Sequence, residues 1–339
     1  MRNLIFCIAF GILCVNCTSQ KTLTAEDYEK ALPRYYATIT AKDLSDHLYI
    51  FASDEFEGRD TGEPGQKKAA VYIRDFYKKI GVESPESPFV KDHFQTIPAG
   101  TFPRIKNETE NVLGFIKGSE KPDEILIISA HYDHVGMENG EIYNGADDDG
   151  SGSMAILEMA EAFKKAEKDG FRPKRSILFL HITGEERGLL GSRYYTDTQP
   201  VFPLENTIAD LNIDMIGRID DEHKNVPDYV YLIGSDKLST DLHNLSEAVN
   251  EKYFNLKLDY TFNDEKDPNR FYYRSDHYNF AKNGIPVIFY FNGVHDDYHR
   301  PTDTPEKINY QLLAKRAQLI FTTAWTLANA ENRPRVDKK

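Results

Sequence analysis

Five short polar segments carry the residue types that can do chemistry. They are His131-Tyr132-Asp133-His134, the stretch Asn144 to Gly152 with its run Asp147-Asp148-Asp149, Thr183-Gly184-Glu185-Glu186, the single Asp214, and His295-Asp296-Asp297-Tyr298-His299. Imidazoles and carboxylates without sulfur suit Zn, Mn or Co better than Ca or Mg. Cysteine occurs only at Cys7, Cys14 and Cys17, so disulfides, thiolate metal sites and a Cys nucleophile are excluded for the folded part. Carboxylates packed together repel unless cations sit among them. Each segment alone has a plainer reading. Asp147 to Gly150 reads as a loop and helix cap, Glu185-Glu186 as two solvated charges, and His131-x-Asp133 as an exposed turn. Asp214 reads as a carboxylate on loop amides, and His134 and His295 as ordinary polar residues. Taken together and in this order, the segments point to a metal site.

The elements around them explain why the segments should meet. Ile125–Ala130 and Ser176–Ile182 are continuous apolar runs, as expected of strands covered on both faces. Val112–Ile116, Thr207–Ile213, Tyr229–Ile233 and Pro286–Phe291 also read as strands. Helices are expected over Gln66–Ile80, stopped by Gly81, and over Ser153–Ala166, Leu238–Tyr253, Asp276–Lys282 and Gln311–Asn329. A capping box at Thr40-Ala41-Lys42-Asp43 opens another, and Leu189–Tyr195 starts one more. Residues 82–106 read as irregular, and 254–274 resist assignment. Strands alternating with helices predict an α/β fold, a mixed and mostly parallel central sheet with helices on both faces. The polar segments each follow the carboxyl end of a predicted strand or precede the next helix. That edge is where open α/β sheets bind ligands.

Composition bounds the rest. The chain has 339 residues, 40% apolar and 28% charged, enough to bury a large core, which excludes disorder. With 54 acidic against 41 basic residues the formal charge is −13, and no basic run stands out, so nucleic acid is excluded as the main partner. The N-terminus has a basic Arg2 and an apolar run from Leu4 to Val15, the pattern of a signal peptide and too short to span a bilayer. Cys17 at its edge resembles the acylated cysteine of bacterial lipoproteins; the alternative is a plain secretory peptide cut near Ser19 or Gln20. The expected organisation is a signal peptide at 1–16, a tether and lead-in at 17–39, one catalytic domain at 40–330 and a polar tail at 331–339. Export to the periplasm or cell envelope follows, with a lipid on Cys17 as contact with the membrane surface, or secretion otherwise.

The order of the motifs resembles that of metallopeptidase family 28, which includes bacterial double-zinc aminopeptidases. The stretches that carry it are ISAHYDHVG (128–136), YNGADDDGSGSMAILEMAEAF (143–163), RSILFLHITGEERGLLGSRYY (175–195), LNIDMIGR (211–218), RSDHYNFAKNGIPVIFY (274–290) and DYHRPTDTPEKI (297–308), with SDEFEGRDTGEPG (53–65) as the entry. The resemblance implies the zinc-exopeptidase, phosphorylase/hydrolase-like fold and two Zn2+ per chain. It implies that His131, Asp148 and Asp214 hold one ion and that Asp148, Glu186 and His299 hold the other. It further implies Glu185 as general base, Tyr298 as a donor near the developing oxyanion, Asp133 orienting His131 and Asp303 orienting His299. Arg274 resembles a substrate-contacting arginine.

The function so implied is an exopeptidase acting on peptides, an aminopeptidase in the first place. A carboxypeptidase of the same fold stays open because Arg218 and Arg274 could meet a substrate carboxylate. A single-zinc glutaminyl cyclase is the second alternative. It usually has tryptophans in its pocket, whereas the only Trp here is Trp325, in the closing helix. A non-enzymatic binding module is the third, and such relatives lose ligands that are all present here.

Overall fold

The computed structural model describes residues 23–338. The expected signal peptide and Cys17 lie outside the described residues. In chain order the strands are β1 (Phe94–Ile97), β2 (Thr109–Ile116), β3 (Lys121–His131), β4 (Gly136–Glu138), β5 (Glu141–Tyr143), β6 (Arg175–Ile182), β7 (Thr207–Ile213), β8 (Tyr229–Ile233), β9 (Lys257–Asp259) and β10 (Val287–Phe291). The helices are α1 (Ala25–Tyr36), α2 (Ala41–Phe51), α3 (Pro64–Ile80), α4 (Gly152–Lys168), α5 (Leu190–Arg193), α6 (Thr240–Tyr253), α7 (His277–Ala281) and α8 (Tyr310–Asn329).

Eight strands form one sheet in the order β1-β2-β6-β3-β7-β10-β8-β9, and β4 and β5 form a separate hairpin. The four central strands β6, β3, β7 and β10 run parallel, while β2 and β8 pair antiparallel beside them. The mixed, mostly parallel sheet is therefore observed. Alternation along a strand decides which core each side chain enters. Leu126 and Ile128 of β3 join one apolar cluster with α1, α2, α3, α4 and α8, while Ile125 and Ile127 join a second beside α7. Both faces are covered, which is why these strands read as unbroken apolar runs.

Three differences from the sequence reading have physical causes. The lead-in before residue 40 is not a tether throughout. Thr24 caps α1, and Tyr28, Leu32 and Tyr35 are buried, so residues 25–36 belong to the packed fold. Tyr35 packs on Trp325 with ring centroids 5.4 Å apart, and the Tyr28 hydroxyl donates to the Arg172 carbonyl at 2.7 Å. Residues 82–106 contain the edge strand β1. The hairpin β4–β5, turned through Asn139-Gly140, bridges β3 to the loop before α4.

Buried arginines tie chain ends and loops to the sheet through carbonyl oxygens. Arg175, the first residue of β6, donates to the Leu327 carbonyl at 2.9 Å and to that of Ala330, fixing the end of α8. Arg316 of α8 donates to the carbonyls of Tyr229, Ile216 and Arg218 at 2.7–2.8 Å. Inside the sheet, the Ser129 hydroxyl donates to Asp210 Oδ1 at 2.7 Å, while Asp210 Oδ2 has no hydrogen-bond partner. Burial pushes the Asp210 carboxyl up to about 8; the Ser129 bond opposes this and the charge of Asp276 adds to it.

Candidate metal centre

Every polar segment is delivered to the carboxyl edge of the central strands. His131 is the last residue of β3, Asp214 follows β7 directly, and Glu185-Glu186 follow β6 through Gly184. Asp148 lies in the turn before α4, and His299 lies in the loop after β10.

The three consecutive aspartates divide their work. Asp147 Oδ1 accepts from Gly217 N at 2.6 Å and its Oδ2 lies 3.1 Å from His295 Nε2. Asp149 Oδ1 accepts from Gly152 N, at the start of α4, and from Met215 N, both at 3.0 Å. These two therefore fix backbone, as the cap reading of this run anticipates. Asp148 alone turns toward His131, His134 and His299.

Around Asp148 two donor groups meet. His131 Nε2 lies 3.2 Å from Asp148 Oδ1 and 3.7 Å from Asp214 Oδ1. His299 Nε2 lies 3.0 Å from Asp148 Oδ2 and 3.1 Å from Glu186 Oε1. His134 enters the same group, its Nδ1 3.0 Å from Glu186 Oε1. All except His299, on the rim, are mostly buried. Asp148 Oδ2 and Glu186 Oε1 nevertheless have no hydrogen-bond partner. Donor atoms this close but out of line for hydrogen bonds suit a shared cation. Tetrahedral Zn with bonds of about 2.0–2.1 Å holds its ligand atoms roughly 3.3 Å apart. The residues present thus fit two divalent ions that share Asp148.

The charges agree with this. Burial would raise the Asp148 carboxyl, but His134, His131 and His299 hold it well below the usual range. Glu185 borders the same pocket. Burial pushes its carboxyl well up against the pull of His131, and the carboxylates of Glu186 and Asp214 add to the rise. Arg59 lies fully buried beneath the acidic residues. It donates to the carbonyls of Phe51, Tyr132, Asn144 and Gly145 and so clamps both loops that carry His131, His134 and Asp148. Desolvation lowers its pKa to about 10, opposed by the charges of Asp148, Asp303, Asp133 and Asp149.

Two expected contacts take other forms. His131 Nδ1 meets the backbone carbonyl of Asp133 at 3.0 Å, whereas the Asp133 carboxylate stays 3.9 Å away. That carboxylate instead accepts from Thr61 Oγ1 at 2.7 Å and from Glu185 N at 3.2 Å. Asp303 makes no hydrogen bond to His299 among the described residues. Its Oδ2 accepts from the backbone N–H groups of Asp147 and Asp148 at 2.9 and 3.1 Å, so it shapes the Asp148 turn. The sequence reading took His134 for an ordinary polar residue and did not single out Arg59. Two histidines three residues apart at a strand end are a signal for the former. A lone arginine offers none.

The pocket beside the cluster is small, about 30 Å³, and walled by Met215, Phe271, Phe289, Phe291 and Val294. Tyr298 stacks on His299, centroids 4.0 Å apart, and faces the same space. Arg274 lies at the pocket over the Phe271 ring at 5.0 Å. Arg218 is engaged elsewhere, 2.9 Å from Asp297.

Residues 111–324 match the model of peptidase family M28. Over 241 residues the chain is 28% identical to aminopeptidase YwaD of Bacillus subtilis, a match spanning 69% of this chain and 48% of that protein. The chain spans about half the length of the curated relatives it matches. Among solved structures, the LapA aminopeptidase of Legionella pneumophila superposes with a TM-score of 0.69 at 21% identity, over 93% of this chain and 79% of that one. The glutaminyl cyclase of Porphyromonas gingivalis superposes with a TM-score of 0.63 at 17% identity, over 84% and 97%. At such identities these two likenesses concern the fold.

Proposed function

The chain belongs to peptidase family M28, and on that premise we propose that it is a two-zinc aminopeptidase that removes residues from peptide N-termini. The observation that carries the reading is the pair of donor groups sharing Asp148 with Glu185 at their side. His131, Asp148 and Asp214 hold one ion; Asp148, Glu186 and His299 hold the other. Bound there, the ions supply Lewis acidity that acidifies water and polarises a peptide carbonyl.

The chain's own groups supply the remainder. Glu185 takes a proton from the attacking water at its carboxylate and returns it to the departing amine. The Asp133 carboxylate holds the Glu185 backbone N–H and fixes where the base stands. The Tyr298 hydroxyl donates to the oxygen on which negative charge develops. The aromatic wall receives the apolar side chain of the N-terminal residue and excludes water from it. Surrounding carboxylates favour a substrate ammonium. A carboxypeptidase needs an arginine cluster, and with Arg218 paired to Asp297 only Arg274 remains at the pocket.

The likeness of fold to a glutaminyl cyclase keeps cyclisation as the second reading. Trp325 speaks against it, since it is buried in the core against Phe163 rather than in the pocket. The test is hydrolysis of amino-acid anilides and short peptides, blocked and free at each end, with metal quantified on the same sample. Release from free N-termini only, with two ions per chain, is expected. Ammonia release from an N-terminal Gln peptide with one ion and no hydrolysis would transfer the assignment to the cyclase. The chain is further proposed to be exported, cleaved after residue 16 and acylated on Cys17. The run Leu4 to Val15 and the cysteine at its edge support this. Mass spectrometry of the mature N-terminus tests it.

A further inference from the structure

We infer that His134 is a fourth protein ligand at the Glu186 end of the cluster, so that the two ion sites are unequal. The inference rests on the two-ion reading above. His134 is fully buried, yet neither of its ring nitrogens has a hydrogen-bond partner. A buried imidazole left unpaired loses the hydrogen bonds it would make to water, so such a group calls for an explanation. Its Nδ1 lies 3.0 Å from Glu186 Oε1 and 3.8 Å from Asp148 Oδ2. These are the same two oxygen atoms that His299 Nε2 approaches. The two imidazoles stand edge to face, with centroids 5.6 Å apart and planes at 71°. His134 and His299 thus approach the same pair of carboxylate oxygens, and the donor atoms of His134, Asp148 and Glu186 lie within 4.8 Å of one another.

The ring is held there by backbone. The His134 N–H donates to the Arg59 carbonyl at 3.2 Å. Gly145, at φ 53°, lies against the ring, and a Cβ on it would stand 2.5 Å from His134 Cγ and Cδ2. The loop has no space for the imidazole to swing away on that side.

The consequence is a division between the sites. Four protein ligands make the closed set of a structural zinc, whereas three leave the open position of a catalytic one. The Glu186 end therefore retains its ion tightly. The end with His131 and Asp214 keeps three ligands, binds more weakly and exchanges its ion with solvent first.

The decisive measurement on the unaltered protein is zinc K-edge X-ray absorption with both sites filled. Three imidazoles shared between two ions are expected; two would overturn the inference. In parallel, zinc binding is measured by competition with chelators of graded affinity for the wild type, His134→Ala, His134→Ser and His299→Ala. Circular dichroism without metal checks folding. The wild type should show one tight and one weaker ion. Both His134 variants should weaken the tight ion by more than about 100-fold, beyond the loss typical of an outer-shell partner, and leave the weaker one unchanged. If His299→Ala loses an ion and the His134 variants bind as the wild type, the two-ion reading stands and this inference falls. If the wild type binds no ion, both fall. If the variants do not fold, the imidazole count decides.

Discussion

Replacing Asp210 by Asn should stabilise the protein, and the gain should grow with pH. Asp210 sits inside the sheet with one oxygen on Ser129 and the other unpaired. Burial raises its pKa to about 8, whereas an unfolded Asp titrates near 3.9. Between those values the folded state keeps a proton that the unfolded state releases. Stability therefore falls as pH rises through this window and levels off above about 8. At pH 7 the gap is about 7 − 3.9, or ~3 units, which at ~1.36 kcal/mol each is on the order of 4 kcal/mol. Asparagine has the same shape, accepts the same bond from Ser129 and does not titrate. The variant should exceed the wild type by up to about 4 kcal/mol at pH 7 and match it near pH 4. The assay is urea unfolding at pH 5, 6, 7 and 8, followed by the fluorescence of the buried Trp325, with excess chelator in every sample to remove metal linkage. A difference that stays constant across pH would refute the reasoning, because only a titrating group makes it vary.

Three further outcomes are expected. Glu185→Gln should keep its metal content and lose about 10²–10⁴-fold in kcat; loss of metal, or near-normal turnover, would contradict its role as base. Gly145→Ala should lower both thermal stability and ion binding, since its Cβ would stand 2.2 Å from the Asp148 carbonyl oxygen as well as against His134. Unchanged melting and metal content would show that the loop can yield. Arg59→Met should destabilise by more than about 3 kcal/mol by stranding four buried carbonyls at about 1 kcal/mol or more each. Arg59→Lys should recover little of this, because an ammonium cannot reproduce the planar fork; thermal unfolding of both variants measures it.

The central strands were legible because a strand covered on both faces must be apolar throughout, and Ile125–Ala130 and Ser176–Ile182 are. Most site segments were legible for the same reason: they interrupt such a run at its carboxyl end, while the Asp147 to Asp149 run was legible as the lead-in to α4. Helix α1 was hidden because Tyr28, Leu32 and Tyr35 are spread through a charged stretch containing Pro33, and tertiary packing on Trp325 outweighs that weak local signal. Strand β1 buries only alternate residues and sits between prolines. The turn Asn139-Gly140 is a hairpin signal that its polar surroundings obscured. The roles of Asp133 and Asp303 depend on whether carbonyl or carboxylate faces the neighbour, a matter of a few ångströms that spacing does not encode. The direction of the His134 ring is of the same kind.

The anchoring of α1 by Tyr28 and of the end of α8 by Arg175 bears on how the enzyme can be attached to something else. Tyr28 reaches the segment just ahead of β6, and Arg175 at the first position of β6 grips the end of α8. Glu185 follows the opposite end of that eight-residue strand. At about 3.3 Å per residue this places the two anchor points some 26 Å from the catalytic edge. A bead or a fusion partner joined directly ahead of α1 or directly after α8 therefore meets the back of the molecule. The pocket mouth opens away from the support, and immobilised enzyme should turn over short peptides at close to its free rate.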